Sequence, residues 1–594
     1  MLGINITDPI KNKMIEKLIV KAKCQLNIKK DINVVIWLSL VFGLLIFVLT
    51  VTNYQITSIP LDADFGLISV LPWSWWLAFS LVILAALLCV FHKVTEVQYF
   101  MCISSLIIVL WLTPIFIEPY PRVSDSYWHT STSLSILEYG YVNYDVIYST
   151  SRYSYLQFPG FFIHMALIME LTGLVDTING QMIFIHYFPI IACLVTAITS
   201  YVMFKRFLGY ERAKLATLIL FLSNVYMQFH VSPQAYGLML FPLAFMGILS
   251  NNRKWNLMGI ITGTTLIVGH PVTALILVGV LSVAFIASVI NSRVFKLTEQ
   301  VKVSDKFLVV GVIAFAGWFF FIAQSYFTSL SRVLMDILPI RETIIKSAVT
   351  TPAKTINLSP PIHASKHTFG GGASIASDIR VVIILLLAIV SIYGVYELYK
   401  RRNKFSSIII GFGGFSVLFY IINYLTHQNF SDRAVMVFFY GLAFLIPLIV
   451  LKSTREFSDK IISKNRLTFL ALILIMMMAT LCSLTLYYQE GSQIFNNEHI
   501  DGYVYAWDIA SPKEKIWGRF FSPMYIMNPK REVKASRYYS NPDIIAFSKM
   551  AHHRYRWLGR GSGYLTYKLE IEKHNAFSKV YQNDEFEVCE EWTK

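Results

Sequence analysis

The chain has 594 residues, of which 55% are hydrophobic, 15% aromatic and only 15% charged. Soluble domains carry about 25% charged residues, so this composition excludes an ordinary soluble protein. The formal net charge of +15 would suit a nucleic-acid binder, but the Lys and Arg residues fall largely in short loops between apolar runs, where they report membrane topology instead.

The first thirty residues contain Lys11, Lys13, Lys17, Lys21, Lys23, Lys29 and Lys30. The apolar run that follows is too long and too late for a cleaved signal peptide, and reads as a signal anchor with a cytoplasmic N-terminus. Runs long enough to cross a hydrocarbon core of about 30 Å fall near 33–52, 73–91 and 98–117. Trp73, Trp75 and Trp76 fit an interfacial aromatic belt. Further spans are predicted near 182–204, 213–230, 234–250, 256–270, 271–291, 307–324, 379–398, 405–424, 433–451 and 466–487.

Residues 157–174 are apolar but short, and contain His164 and Glu170. If they crossed, the basic loops after them would lie outside. Reading them as an interfacial or re-entrant helix keeps Lys205–Lys214, Arg253–Lys254, Arg293–Lys306, Lys400–Lys404 and Lys452–Arg466 on the inside. The expected fold class is therefore an α-helical polytopic membrane protein of about 13 transmembrane helices. Residues 1–32 form a basic cytoplasmic segment. Residues 33–487 form the transmembrane domain, with large outer loops at 118–181 and 325–378. Residues 488–594 form a small extracytoplasmic α+β domain, with strand-like runs near Tyr564–Ile571 and a hairpin through Asn583.

Six scattered cysteines, Cys24, Cys89, Cys102, Cys193, Cys482 and Cys589, show no CxxC and no metal-ligand spacing, which argues against a zinc site or a disulfide framework. The chemistry concentrates in the loops of one face. Glu118–Val142 starts directly after the third span, Pro119 and Pro121 stop that helix, and Ser126–Tyr139 has the spacing of an amphipathic helix at the membrane surface. Asp125 stands at its mouth, either as a helix N-cap or as a functional carboxylate. His129 lies one turn further on, and either faces the same cavity or is an interfacial polar residue. His230 and Gln234 sit in the turn FHVSPQAYG, and His270 in GHPVT, to satisfy helix ends or to bind phosphate or sugar hydroxyls. Arg433 follows Asp432 in HQNFSDR; its fork suits phosphate oxygens, unless Asp432 simply neutralises it. Loop 325–378, with Lys354, His363, Lys366, His367 and Gly370–Gly372, has the composition of a mobile flap over a substrate cavity. His552, His553, Arg554 and Arg556 form a solvated or headgroup-facing surface, or an acceptor-binding patch.

An Asp at the mouth of an outer loop, an aromatic-rich segment, then a Pro-started apolar helix ending in Leu171–Gly173 resembles the membrane glycosyltransferases of the GT-C fold. These include protein mannosyltransferases and oligosaccharyltransferases. The turns at Phe229–Gly237 and Gly269–Thr273 and the polar-aromatic C-terminal domain are similar to those of prokaryotic members. Two departures stand out: two spans precede the one that should be first, and Asp125 is alone where relatives often have an acidic pair. The resemblance implies a sugar donor on a polyprenyl (or dolichyl) phosphate and a glycan or protein acceptor in the cell envelope. It also implies Asp125 as general base, with His129, His230, Gln234, His270, Lys366 and Arg433 binding substrate. The missing second acid leaves a divalent metal open. A transporter or flippase for a lipid-linked glycan is the alternative, although the spans are nearly free of ionisable residues, His186 excepted. A membrane scaffold would explain the tail but not the long polar loops.

Overall fold

The computed structural model describes residues 9–54, 66–118, 120–142, 156–223, 230–250, 252–294, 305–323, 403–426, 431–456, 497–509 and five strands after residue 514, with isolated positions elsewhere. The features expected at Lys354–Gly372, including Lys366, at His552–Arg556 and at Tyr564–Ile571 lie outside the described residues. The chain forms two compact units: residues 1–55 with 71–110, and residues 56–70 with 111–594.

The first unit contains α1 (Pro9–Asn53), α2 (Trp73–Phe91) and most of α3 (Glu96–Ile117). α1 is continuous from the lysine-rich segment into the first apolar run. Thr50 donates to Ser74 across 2.9 Å, tying α1 to α2. Trp75 is fully buried and stacks on Phe79 at 5.1 Å, so it departs from the expected aromatic belt, whereas Trp73 is exposed. The difference follows helix geometry: side chains two positions apart point to different faces.

The second unit carries the remaining helices: α4 (Ser124–Tyr139), α5 (Gly160–Leu171), α6 (Ile178–Leu208), α7 (Tyr210–Leu222), α8 (Pro233–Ile248), α9 (Arg253–Gly269), α10 (Pro271–Arg293), α11 (Asp305–Gly317, continued by a π-turn to Ile322), α12 (Ser406–Thr426), α13 (Ser431–Glu456) and α14 (Asn497–Ile509). Over the whole chain, six described helices are long and apolar enough to cross a membrane, among them Asp31–Asn53, Ile178–Leu208 and Pro271–Arg293. Shorter apolar helices include α5, α8 and the Ser406–Ile422 and Arg433–Ile449 stretches. The chain is a multi-pass α-helical membrane protein. α5 has 12 residues, and at 1.5 Å per residue it rises about 18 Å, short of the hydrocarbon thickness.

Helix starts are set by side-chain caps. Thr177, Ser232 and Asn252 accept from the backbone amides of Gly180, Ala235 and Lys254, and His270 does the same for Thr273. Pro233 and Pro271 follow at the first helical position, where a missing N–H costs nothing. Between helices the packing is aromatic. Phe241 and Phe245 of α8 meet Phe412 of α12 and Tyr440 and Phe444 of α13, with ring centroids 5.1 to 6.4 Å apart. α8 and α9 cross closely enough that a Cβ on Gly259 would fall 2.7 Å from the Gly247 carbonyl carbon. Small residues of this kind let membrane helices gain dispersion contacts that lipid cannot supply.

Lys205 and Arg206 close α6, and Lys214 on α7 is fully buried, paired with Glu211 at 2.7 Å. In the C-terminal part, a five-stranded sheet has the order β2-β1-β3-β5-β4. β1 (Lys515–Trp517) runs parallel to β2 (Lys534–Ser536) and β3 (Ile544–Ser548), while β5 (Phe586–Glu591) is antiparallel to β3 and β4 (Phe577–Gln582). β4 and β5 pair with each other, Asn583 itself lies outside the described residues, and α14 packs on this sheet.

Candidate active site at converging helix starts

The chain leaves α3 through a tight polar bend. Glu118 is buried and makes a two-pronged ion pair with Arg122. Burial pushes its carboxyl above the usual range, against the pull of Arg122. Tyr127 donates to the Pro121 carbonyl across 2.8 Å, folding the bend back on the helix it starts. Val123 has φ +67°, a left-handed conformation that a β-branched residue adopts only under strain, at a cost of about 1–3 kcal/mol. That turn places Asp125 in the first turn of α4, half-buried.

α4 is not the surface-lying amphipathic helix that its spacing suggested. Ser126, Tyr127, Trp128, His129 and Thr130 are all buried, five consecutive positions covering the whole circumference. A polar helix tolerates this because its hydroxyls bond within the helix: Thr130 to Ser126, Thr132 to Trp128 and Ser133 to His129, at 2.8 to 3.1 Å. α5 packs along it, and Phe161 and Phe162 approach His129 at 5.8 Å.

From α4 the site widens across four helix starts. His129 Nδ1 lies 2.7 Å from the Val231 carbonyl, one residue before the cap of α8. The His230 ring lies 6.4 Å from that of His129, nearly parallel. Gln234, at the start of α8, reaches Met436 Sδ on α13 at 4.0 Å, and Met436 lies one turn beyond Arg433. α8 and α10 start side by side, for a Cβ on Gly237 would fall 2.6 Å from Thr273 Oγ1. His270 stands between α9 and α10, outside both helices, and is buried. Burial, then the charge of Arg433 and then that of His129 lower its pKa to about 3, which keeps it neutral.

Of the residues singled out in the sequence, Asp125 and His129 therefore share one helix, while His129, His230, His270, Gln234 and Arg433 gather where α4, α8, α10 and α13 begin. Each helix start adds roughly half a positive charge and unsatisfied N–H groups, so the cluster is electropositive before Arg433 is counted. Among the described residues, no three His, Cys, Asp or Glu side chains gather so as to hold a metal ion. Sequence reasoning missed Thr273, the Val231 carbonyl and the Glu118–Arg122 pair. It also missed His164, whose Nδ1 lies 2.8 Å from the Tyr236 hydroxyl. The signals for the first two were present: Ser232-Pro233 and His270-Pro271 are cap-then-proline starts, and two such starts on one face invite convergence.

No family model matches the chain, and no curated protein matches it. Among the solved structures similar to this chain are two of ArnT from Cupriavidus metallidurans. One is bound to undecaprenyl phosphate; it is 11% identical, covers 83% of this chain and 98% of its own, and has a TM-score of 0.42. The other, in the apo state, is 11% identical, covers 83% and 97%, and has a TM-score of 0.40.

Proposed function

We propose that the chain is a membrane glycosyltransferase that moves a sugar from a polyprenyl-phosphate-linked donor to an acceptor hydroxyl on the extracytoplasmic face. The observation that supports this best is the gathering of His129, His230, Gln234, His270 and Arg433 at four helix starts, with Asp125 at the head of one of them. The basic loops predicted for the inner face would leave this end of the bundle outside.

The reaction needs two things. The acceptor hydroxyl is a poor nucleophile, so a carboxylate takes its proton as oxygen bonds to the anomeric carbon; Asp125 is assigned that role. The bond from the anomeric carbon to the phosphate oxygen breaks, and the lipid phosphate leaves with the electron pair. Its growing negative charge is met by Arg433 and by the helix starts. His129, His230, Gln234 and His270 hold substrate polar groups, and Lys366 is assigned to the flap.

The test is transfer of label from polyprenyl-phosphate sugars to host membrane acceptors by the full chain in nanodiscs. Transfer that disappears in Asp125→Asn supports the reading. A well-folded chain that moves label from no donor argues against it. A second reading, movement of a lipid-linked glycan, is favoured by His186, whose buried Nε2 in α6 has no hydrogen-bond partner among the described residues. A flipping assay on the same nanodisc protein, reconstituted into vesicles, separates the two.

A further inference from the structure

α4 enters the site differently from its neighbours. The starts of α8 and α10 are capped by the side chains of Ser232 and His270, which accept from amides in their first turns. The cap position of α4 is held by Val123, whose side chain has no oxygen to offer. Its carbonyl accepts from the Ser126 amide at 2.9 Å, and its φ is +67°. That torsion decides which way the chain turns into α4, and Asp125 follows two residues later. With φ of the opposite sign, the first turn of α4 would leave the bend in another direction and carry the carboxylate with it.

A β-branched residue does not hold positive φ by itself; such strain persists only where the surroundings fix it. Two side-chain contacts straddle Val123. On the near side, the Arg122 guanidinium donates to both carboxyl oxygens of Glu118, one of them at 2.6 Å. Glu118 is buried, and its amide donates to the Pro114 carbonyl at 2.8 Å, so the pair ties Arg122 to the end of α3. An Arg–carboxylate fork of this kind fixes orientation as well as distance. On the far side, the fully buried Tyr127 donates from its hydroxyl to the Pro121 carbonyl at 2.8 Å. That bond draws the first turn of α4 back across the bend.

We propose that Glu118 and Tyr127 are positioning residues: through Arg122 and the Pro121 carbonyl they hold Val123 at positive φ, and so hold Asp125 where it meets the acceptor hydroxyl. The inference rests on the assignment of Asp125 as the base. Neither residue touches substrate in this role. Their worth lies in aim, since a misplacement of about 1 Å at a reacting centre costs about a hundredfold in rate.

The test uses Tyr127→Phe and Glu118→Gln in the full chain in nanodiscs, with transfer counted per folded molecule. Tyr127→Phe keeps the buried ring and removes one hydrogen bond. Glu118→Gln keeps the shape and removes the charge that grips Arg122. Each is expected to lower kcat by about threefold to tenfold, the worth of one hydrogen bond, with binding of bare undecaprenyl phosphate at the wild-type level. In the Asp125→Asn background the same substitutions should cost nothing further, because no base is left to aim. Glycine takes positive φ without a Cβ clash, so Val123→Gly added to Tyr127→Phe should restore part of the lost kcat. A purely structural role predicts a lower unfolding midpoint with kcat per folded molecule unchanged. That result in both variants would overturn the proposal and leave the transferase reading intact. So would an equal loss in the Asp125→Asn background, or a drop in kcat when Val123→Gly is added to Tyr127→Phe. Full transfer by Asp125→Asn alone would remove the base assignment and this inference together. A wild type that moves no lipid-linked sugar would remove the transferase reading as well.

Discussion

His129 donates from Nδ1 to the Val231 carbonyl oxygen across 2.7 Å, and this bond joins α4 to the turn that starts α8. The two residues are 102 positions apart, so the contact fixes the position of the first polar loop against the helical bundle. Asp125 is one turn from that anchor on the same helix. A carboxylate so placed is steadied by a buried neighbour while staying only half-buried itself.

Asp125→Asn keeps the shape and N-capping ability of the side chain and removes the base. Folding and insertion should be unchanged, while transfer falls by about 10²–10⁴-fold, the usual worth of general base catalysis. Single-turnover transfer in nanodiscs measures it. Full activity in Asp125→Asn would sink the base assignment, whatever the enzyme class.

Arg433→Ala tests the phosphate assignment. Charge-assisted hydrogen bonds contribute about 1.5–3 kcal/mol, so binding of bare undecaprenyl phosphate should weaken by roughly 10–150-fold. Arg433→Lys should fall between, since an ammonium keeps the charge but loses the planar fork. If Arg433 merely neutralises Asp432, alanine would leave undecaprenyl phosphate binding at the wild-type level.

The sequence made the class of this chain legible, because hydrophobic spans and lysine-rich loops follow directly from the cost of burying charge in lipid. It also marked His230, Gln234, His270 and Arg433, since each sits beside a helix-start signal. It could not show that His129 reaches Val231 or that Gly237 lies against Thr273, because both depend on how α4, α8 and α10 pack. The burial of α4 was hidden for a related reason. Its Ser and Thr hydroxyls read as a wet face, yet bond to their own helix and let the whole circumference be enclosed. Trp75 misled in the opposite sense, since three clustered tryptophans look interfacial while helix rotation buries one of them.

His270 makes stability depend on pH in a stated direction. Its pKa is about 3 in the folded chain against an ordinary 6.5, so between those values the unfolded chain binds more protons. Its contribution is fully present above about pH 6.5 and is lost as pH falls toward 3, with a slope of at most about 1.4 kcal/mol per pH unit. Thermal unfolding in detergent between pH 7.5 and 4.5 should therefore show the gap between wild type and His270→Asn closing as pH falls. A gap that stays constant would mean that His270 does not titrate on unfolding.

The crossing of α8 and α9 separates stability from chemistry. Gly247 lies fourteen residues beyond Pro233, so the contact with Gly259 is about 21 Å along α8 from the candidate site. A Cβ at Gly259 would fall 2.7 Å from both the Gly247 carbonyl carbon and the Ile248 nitrogen, and backbone atoms cannot step aside as a flexible side chain can. Gly259→Ala should force the helices apart and cost about 1–3 kcal/mol, typical of overpacking. At Gly263, one turn further along α9, a Cβ would find only Ile248 Cδ1 at 3.9 Å, so Gly263→Ala should be nearly silent or slightly stabilising. Thermal unfolding of both variants, with transfer measured per folded molecule, checks the pair. Equal midpoints for the two would show that the close crossing does not hold in the membrane.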